Sequence, residues 1–392
     1  MTSKRTATFA ALCSCLSLLF AQTTWAQDTA EDQDSDPAQR TQLRWYEGNP
    51  HRDHILDMEI PLHFSGYFWV DSGFVNRLNA NESNPDQQAA YMQGRFVLAT
   101  EYLREYDNGL YARARAEVIN FVNEYTKSSF EAHVLDAFME IGQGYWDVQV
   151  GRFLAWEVYD RGQGIELFTP EETGALSGPS LYWLDVARGY KNEAGQAAIH
   201  LYPFDGLGIE VAGVYGQESS QNVFGLRPVL DYRLGGLQLK AGYEFYAQRP
   251  QTDSDKVEST THGFAAKLQY TLGIFRLALN ASARDVDYTD IQGLVDGEKT
   301  FTDNTFGGFV DVDVASGSLG LGYHLTRLKN RQGERNRHHR LFASYKVFLP
   351  IEGVSVKAVY GFARAIIQDI DTEIEYDNFA HSVRLRLAYD FQ

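Results

Sequence analysis

Residues 380–392 read AHSVRLRLAYDFQ. Val383, Leu385, Leu387, Tyr389 and Phe391 fall on one side of an alternation, and Ser382, Arg384, Arg386, Ala388 and Asp390 fall on the other. Successive side chains of a β-strand point to opposite faces, so this stretch is a strand with one apolar wall and one charged wall. A soluble sandwich can carry a single strand of this kind. Recurrence separates the two readings. In 237–245, Leu237, Leu239, Ala241, Tyr243 and Phe245 alternate with Gln238, Lys240, Gly242 and Glu244, and 264–272 and 275–283 repeat the rhythm. An apolar wall against lipid and a polar wall around a wet lumen are the pattern of an all-β transmembrane barrel.

The amino terminus agrees. Lys4 and Arg5 precede a short apolar stretch, 7–20, and Thr24-Trp25-Ala26 supplies small residues at a cleavage site, so 1–26 reads as a signal peptide. The apolar run is shorter than the roughly 20 residues of a spanning helix. Cys13 and Cys15 both lie inside it, so the mature chain is expected to have neither disulfide nor thiol chemistry. The segment 27–61 opens on a polar, acidic run and reads as a largely disordered periplasmic lead-in, and 62–392 as the barrel. The formal net charge of −17 argues against nucleic acid as a partner. Aromatics make up 14% of residues, as two interfacial girdles require.

Turn signals and alternation together mark about 16 strands, an even number as bacterial single-chain barrels need. Short Gly-bearing turns, such as Asp107-Asn108-Gly109, Asp205-Gly206 and Gly235-Gly236, alternate with longer polar connections at 76–90, 122–131, 249–258, 287–301, 327–336 and 369–379. Gly216–Asn222 is too short for the side it falls on. The longest connection, 154–193, follows the fifth strand. A structureless stretch of about 40 residues is usually functional.

The chain therefore resembles the Gram-negative outer-membrane porins of the 16-stranded type, both in strand rhythm and in ending on an aromatic strand, although Gln392 follows Phe391. Gly151-Arg152-Phe153 and Trp156-Glu157-Val158-Tyr159 are similar to the strand-to-loop junction of phosphate- or carbohydrate-selective porins. The resemblance implies a loop folded into the lumen after strand five, a trimer, and barrel-assembly machinery that reads the last strand. An 18-stranded barrel follows instead if 154–193 hides a hairpin.

Parity turns Arg95, Arg113, Arg115, Glu117, Lys240, Lys267, Arg276, Arg284, Lys357, Arg384 and Arg386 toward the lumen, since Lys or Arg facing lipid at the midplane costs about 2–4 kcal/mol. The long connection carries Trp156, Glu157, Tyr159, Asp160, Arg161, Glu166, Glu171, Glu172, Trp183 and Asp185. An acidic loop facing a basic wall would set a transverse field at a constriction. The same ions can also pair with one another, and the aromatics can either stack on sugars or pack the loop. The run Arg335-Asn336-Arg337-His338-His339-Arg340 suits lipopolysaccharide phosphates or a solvated loop. His200, His262, His324 and His381 belong to no nucleophile motif, and His51, His54 and His63 match no metal spacing. No catalytic residue, metal or cofactor is assigned.

The expected activity is passive diffusion of small hydrophilic solutes through an outer-membrane channel. Wall cations favour anions or phosphate, while acidic loops and net charge favour cations or neutral sugars. A structural or export barrel closed by its amino-terminal segment is the alternative. Epitope tags placed in 76–90, 249–258, 287–301 and 327–336 should bind antibody on intact cells. Labelling that needs a broken outer membrane would reverse the orientation.

Overall fold

The computed structural model describes residues 62–78, 87–123, 132–160, 162, 182–250, 258–289, 300–329, 335–368 and 375–391. The expected signal peptide and acidic lead-in lie outside them. Sixteen strands follow in order: β1 (Leu62–Leu78), β2 (Gln87–Glu105), β3 (Tyr111–Asn123), β4 (Ala132–Gln143), β5 (Trp146–Arg152), β6 (Gly195–Phe204), β7 (Leu207–Glu218), β8 (Gln221–Leu234), β9 (Leu237–Pro250), β10 (Glu258–Leu272), β11 (Phe275–Thr289), β12 (Thr300–Val314), β13 (Gly317–Lys329), β14 (Arg335–Phe348), β15 (Val354–Gln368) and β16 (Glu375–Phe391). Each pairs antiparallel with its sequence neighbours, and β1 pairs with β16, so the sheet is a closed barrel without edges. Closure is what hydrocarbon demands, because an unpaired backbone N–H or C=O there costs several kcal/mol.

The connections sort by rim. One rim has the short links 106–110, 144–145, 205–206, 235–236, 273–274, 315–316 and 349–353. Left-handed glycines, Gly109 (φ 78°) and Gly206 (φ 84°) among them, make such turns tight. The other rim has the long connections and one exception, Ser219-Ser220. Both serines take positive φ, 52° and 64°, as in the mirror-image hairpin turn whose twist matches the strands. Residues 182–189 form bends and turns rather than a strand, and the ring closes at 16.

The outer face shows Leu277, Leu279, Leu319, Leu321, Val383, Leu385, Leu387 and Tyr389, all exposed and apolar. Ser282, Asn280, Ser382 and Arg384, at the alternate positions, are buried on the inner face. The seam has its own packing. Phe391 stacks on Phe96 at 6.3 Å between ring centres and covers Gly66, where an added Cβ would stand 2.6 Å from the Phe391 ring. Phe391→Ala should therefore loosen the seam and lower the folded, heat-modifiable fraction in outer membranes. Unchanged assembly would remove this role.

Candidate functional site

The chain leaves β5 at Arg152, whose Nε donates to the carbonyls of Val134 (3.0 Å) and Leu135 (2.9 Å), and turns inward. Phe153 and Ala155 bury against Phe138, Ala198 and Ala212. Trp156 then stacks on His200, 5.0 Å away and nearly parallel. The Trp156 backbone N–H donates to both carboxylate oxygens of Glu210 at 2.9 Å. Arg227 donates to Glu210 (2.9 Å) and to the Leu184 carbonyl (3.0 Å), tying both limbs of the loop to the wall. Glu244 accepts the Ala187 N–H (2.9 Å) and the Tyr182 hydroxyl. Glu210, Arg227 and Glu244 are each 0% exposed. Removing one partner of such a buried pair typically costs about 3–5 kcal/mol.

Shape supports the same placement. Val158, Tyr159, Tyr182 and Leu184 are fully buried, each large apolar side chain contributing about 1.5–3 kcal/mol. They sit in notches left by wall glycines. A Cβ at Gly242 would stand 2.6 Å from Leu184, at Gly263 1.6 Å from the Tyr182 hydroxyl, and at Gly307 2.6 Å from the Tyr159 hydroxyl. Trp183 reaches farther round, packing against Ala278, Phe309, Phe342 and Val359. These aromatics pack the loop rather than present a stacking platform.

Asp160 is the loop's electrostatic anchor. Burial alone would raise its carboxyl, but the Lys267 ammonium at 3.4 Å, Arg276 and the Gly162 N–H outweigh that and hold it below the usual carboxylate range. Burial and the Glu244 carboxylate both push the Tyr182 phenol up. Lys240 donates to the Glu157 carbonyl (3.0 Å) and pairs with Asp231 (3.3 Å), and Glu157 itself lies 3.9 Å from Arg188. Asp185 lies on the inward limb, half-buried. Lys240, Lys267 and Arg276 thus hold the loop from beneath, while Arg276 also bonds Asp311. Arg284 bonds Asp303 at 3.1 Å and lies over the Tyr182 ring. Arg161, Glu166, Glu171 and Glu172 lie outside the described residues.

In a ring of 16, β1 and β9 are eight places apart, so β16 to β3 face the loop-bearing wall. Arg113 pairs with Glu101 (2.8 Å) and Glu140 (3.6 Å). Arg115 pairs with Glu117 (2.7 Å), Glu101 (3.2 Å) and Asp136 (3.4 Å). Arg386 grips Asp71 through two nitrogens, 2.7 and 2.9 Å, above the Trp69 ring. Arg384 lies over Tyr91 and Arg95 over Tyr67. One arrangement stands apart. Lys346, Lys357 and Arg386 occupy directly paired inward positions on β14, β15 and β16. Like charges directly opposite on neighbouring strands repel, their Cβ atoms being only about 4.5–5.5 Å apart. The described inward positions of these three strands carry Arg340, Lys346, Lys357, Arg384 and Arg386, and one carboxylate, Asp390 near the end of β16.

The sequence named the wall cations but gave no part in the site to Asp147, His200, Glu210, Arg227, Glu244 or Lys346. Parity could have found them, since all occupy inward positions. Their partners could not be read, since Trp156 and Arg227 are 71 residues apart.

A closed ring of 16 antiparallel strands with a loop packed inside it is the porin fold. The anion-selective porin of Comamonas acidovorans superimposes with a TM-score of 0.61 at 14% identity, over 84% of this chain and 100% of that one. OmpT, an outer membrane protein of Vibrio cholerae in a trimer form, gives 0.53 at 13%, over 84% and 99%. OmpF of Salmonella typhi in complex with daunomycin gives 0.53 at 11%, over 86% and 99%. No protein-family model and no curated protein sequence matches the chain.

Gly263→Leu should evict Tyr182 from its notch. Limited proteolysis is expected to cut the loop at least about tenfold faster while the barrel stays heat-modifiable, as loss of one buried aromatic contact of about 1.5–3 kcal/mol allows. Unchanged cleavage would refute the notch. Acid should act late: the Asp160 anchor is fully present above the ordinary value of 3.8 and is lost as pH falls through its lower folded value. Loop protection should hold from pH 7 to about 5, and its loss in that window would contradict the anchor.

Proposed function

We propose that this protein is an outer-membrane channel through which small hydrophilic solutes diffuse passively, with a preference for anions. The observation that carries the preference is the row Lys346–Lys357–Arg386, three cations in direct register on the lumen wall. The described inward positions of β14 and β15 carry no carboxylate and Arg386 is answered by Asp71, whereas Arg113 and Arg115 are engaged by four carboxylates. A lumen lined by one sign of charge concentrates the opposite ion. That a porin described as anion-selective shares this fold supports the reading. The inner loop narrows the lumen from the β6–β13 side, and Trp183 extends that cover to β14 and β15. Diffusion needs no cofactor and no covalent step.

The long connections face the exterior and both chain ends the periplasm. Assembly as a trimer belongs to the same reading. β5 has 7 residues, fewer than the roughly 9–11 that span a bilayer, so the β4–β6 wall gains from cover by further copies of the chain. A related fold is described in a trimer form.

Single-channel recording in planar bilayers tests the reading. The protein should conduct, with a reversal potential favouring anions, and Lys346→Glu with Lys357→Glu should shift it toward cations. The shift should shrink at 1 M salt, where the Debye length is about 3 Å. Deleting 165–180 should enlarge the conductance. A folded barrel that never conducts would favour the closed structural or export barrel, and a conducting barrel with unchanged selectivity would remove the anion preference.

A further inference from the structure

At the root of the inner loop, a histidine stands in register between two carboxylates. Asp147, His200 and Glu210 occupy directly paired inward positions on β5, β6 and β7. His200 is 2% exposed, Asp147 3% and Glu210 0%. The His200 Nδ1 meets an Asp147 oxygen, and its Nε2 meets a Glu210 oxygen at 3.2 Å. Asp147 also accepts the Tyr202 hydroxyl at 3.0 Å. Glu210 also accepts from Arg227 on β8 at 2.9 Å, and Glu140 on β4 adds a further acid near the imidazole.

Two arguments fix the charge of the ring. First, a neutral imidazole has one N–H and one lone pair. With a carboxylate against each nitrogen, that lone pair would face an oxygen that can only accept. A single proton on Nδ1 would repel Glu210, and a single proton on Nε2 would repel Asp147. An imidazolium donates to both. Second, a charged ring brings the buried set Asp147, Glu210, Arg227 and His200 to zero net charge. A neutral ring would leave one buried carboxylate uncompensated.

The charge bears on Trp156. Its indole lies on the imidazole at 5.0 Å and 6° between planes. A planar cation is attracted to an aromatic face, and indole is the best such face. The Trp156 backbone N–H donates to both Glu210 oxygens, one of which is the oxygen that meets His200. Its carbonyl accepts from Arg227. The indole edge fills a notch at Gly208, where an added Cβ would stand 2.8 Å away. Protonation of both ring nitrogens therefore draws the indole down and keeps the Glu210 carboxylate turned toward the Trp156 N–H. Trp156 follows closely on Arg152, where β5 ends, so its seat sets where the loop enters the lumen.

We propose that His200 is an imidazolium in the folded protein, donating to Asp147 and Glu210 at once, and that it positions Trp156, and with it the root of the inner loop, by charge rather than by shape. The inference rests on the packing of the loop and not on conduction.

The test uses full-length protein in detergent, with the heat-modifiable fraction as the folding control. Nitrogen NMR of histidine-labelled parent at a pH of about 8, above the ordinary histidine value of roughly 6.5, reads the ring directly. The His200 signals, assigned by their loss in His200→Arg, should show two protonated nitrogens. One protonated nitrogen would overturn the proposal. Limited proteolysis then separates charge from shape. His200→Phe keeps a flat ring without charge and should let the loop be cut at least about tenfold faster, as loss of hydrogen bonds to buried carboxylates allows. His200→Arg keeps the charge and should protect the loop nearly as the parent does. His200→Gln, which can donate to one side alone, serves should the Phe variant not fold, and should also be cut faster. Protection by Phe or Gln equal to the parent's would make shape the cause and refute the proposal, as would an Arg variant cut as fast as Phe. In planar bilayers, the Phe variant should conduct more than the parent. A barrel that never conducts refutes the channel and leaves this inference to the NMR and proteolysis. A conducting barrel whose loop is equally protected in every variant refutes the inference alone.

Discussion

Everything in this molecule depends on the ladder between β1 and β16. Until it forms, two strand edges carry unpaired N–H and C=O groups that hydrocarbon cannot satisfy. The ladder joins residues more than 300 positions apart, from Gly66–Phe391 to Leu78–Phe379, and is reinforced on both faces. Inside, Arg386 grips Asp71 across the seam by a two-nitrogen bond, 315 residues away in sequence. Outside, Phe391 lies over the bare backbone of Gly66 and stacks on Phe96. A charge clamp in water and an aromatic clamp in lipid secure the one joint that local hairpins cannot make. Such closure is a slow, non-local event, since the entropy of bringing the ends together must be met before the contacts form.

Once the ring is closed, side-chain parity is no longer negotiable, and the lumen wall inherits more charge than it can pair within itself. The inner loop resolves this on one side. Its backbone N–H groups at Trp156 and Ala187 donate to Glu210 and Glu244, and its carbonyls at Trp156 and Leu184 accept from Arg227. Loop and wall therefore satisfy one another: the loop's backbone finds partners without secondary structure of its own, and fully buried wall ions avoid an uncompensated charge. Glycines at inward positions make the fit close, because any Cβ at Gly263 or Gly307 would occupy the space of a tyrosine hydroxyl. Across the lumen, Arg113 and Arg115 reach the same end through side-chain carboxylates.

The strands were legible in the chain because alternation and glycine turns are local signals. So was the inner loop, since 154–193 stood out by length alone. Ser219-Ser220 broke the expected rhythm of rims because two serines in left-handed conformation make a turn that composition does not advertise. The site was less legible. Parity tells in from out but not how far round the ring a residue lies. Asp160 read as an acid facing a basic wall across the pore, yet Lys267 and Arg276 lie directly beneath it. The basic residues across the lumen, Arg95, Arg113, Arg115, Arg384 and Arg386 among them, lie several strands away in the ring. Gly242, Gly263 and Gly307 lay in plain sight as strand glycines without a turn, but a notch has meaning only once its occupant is known.

The same register that seals the ring also explains why like charges are tolerated in rows. A strand free to slide could separate Lys346 from Lys357, or Arg327 from Arg337, at the cost of one hydrogen-bond step. Here a slip by one residue would turn Leu341 and Tyr323 inward and bring Arg340 and His324 against lipid, a change of several kcal/mol per charge. The membrane therefore locks the repulsive pairs in place. Relief differs from face to face. In the lumen, Asp71 on β1 accepts from Arg386 at the end of the row. At the outer rim, Asp377 on β16 accepts both contacts from Arg364. One constraint, the fixed register of a closed sheet, thus sets the charge rows of the inner wall and of the outer rim alike.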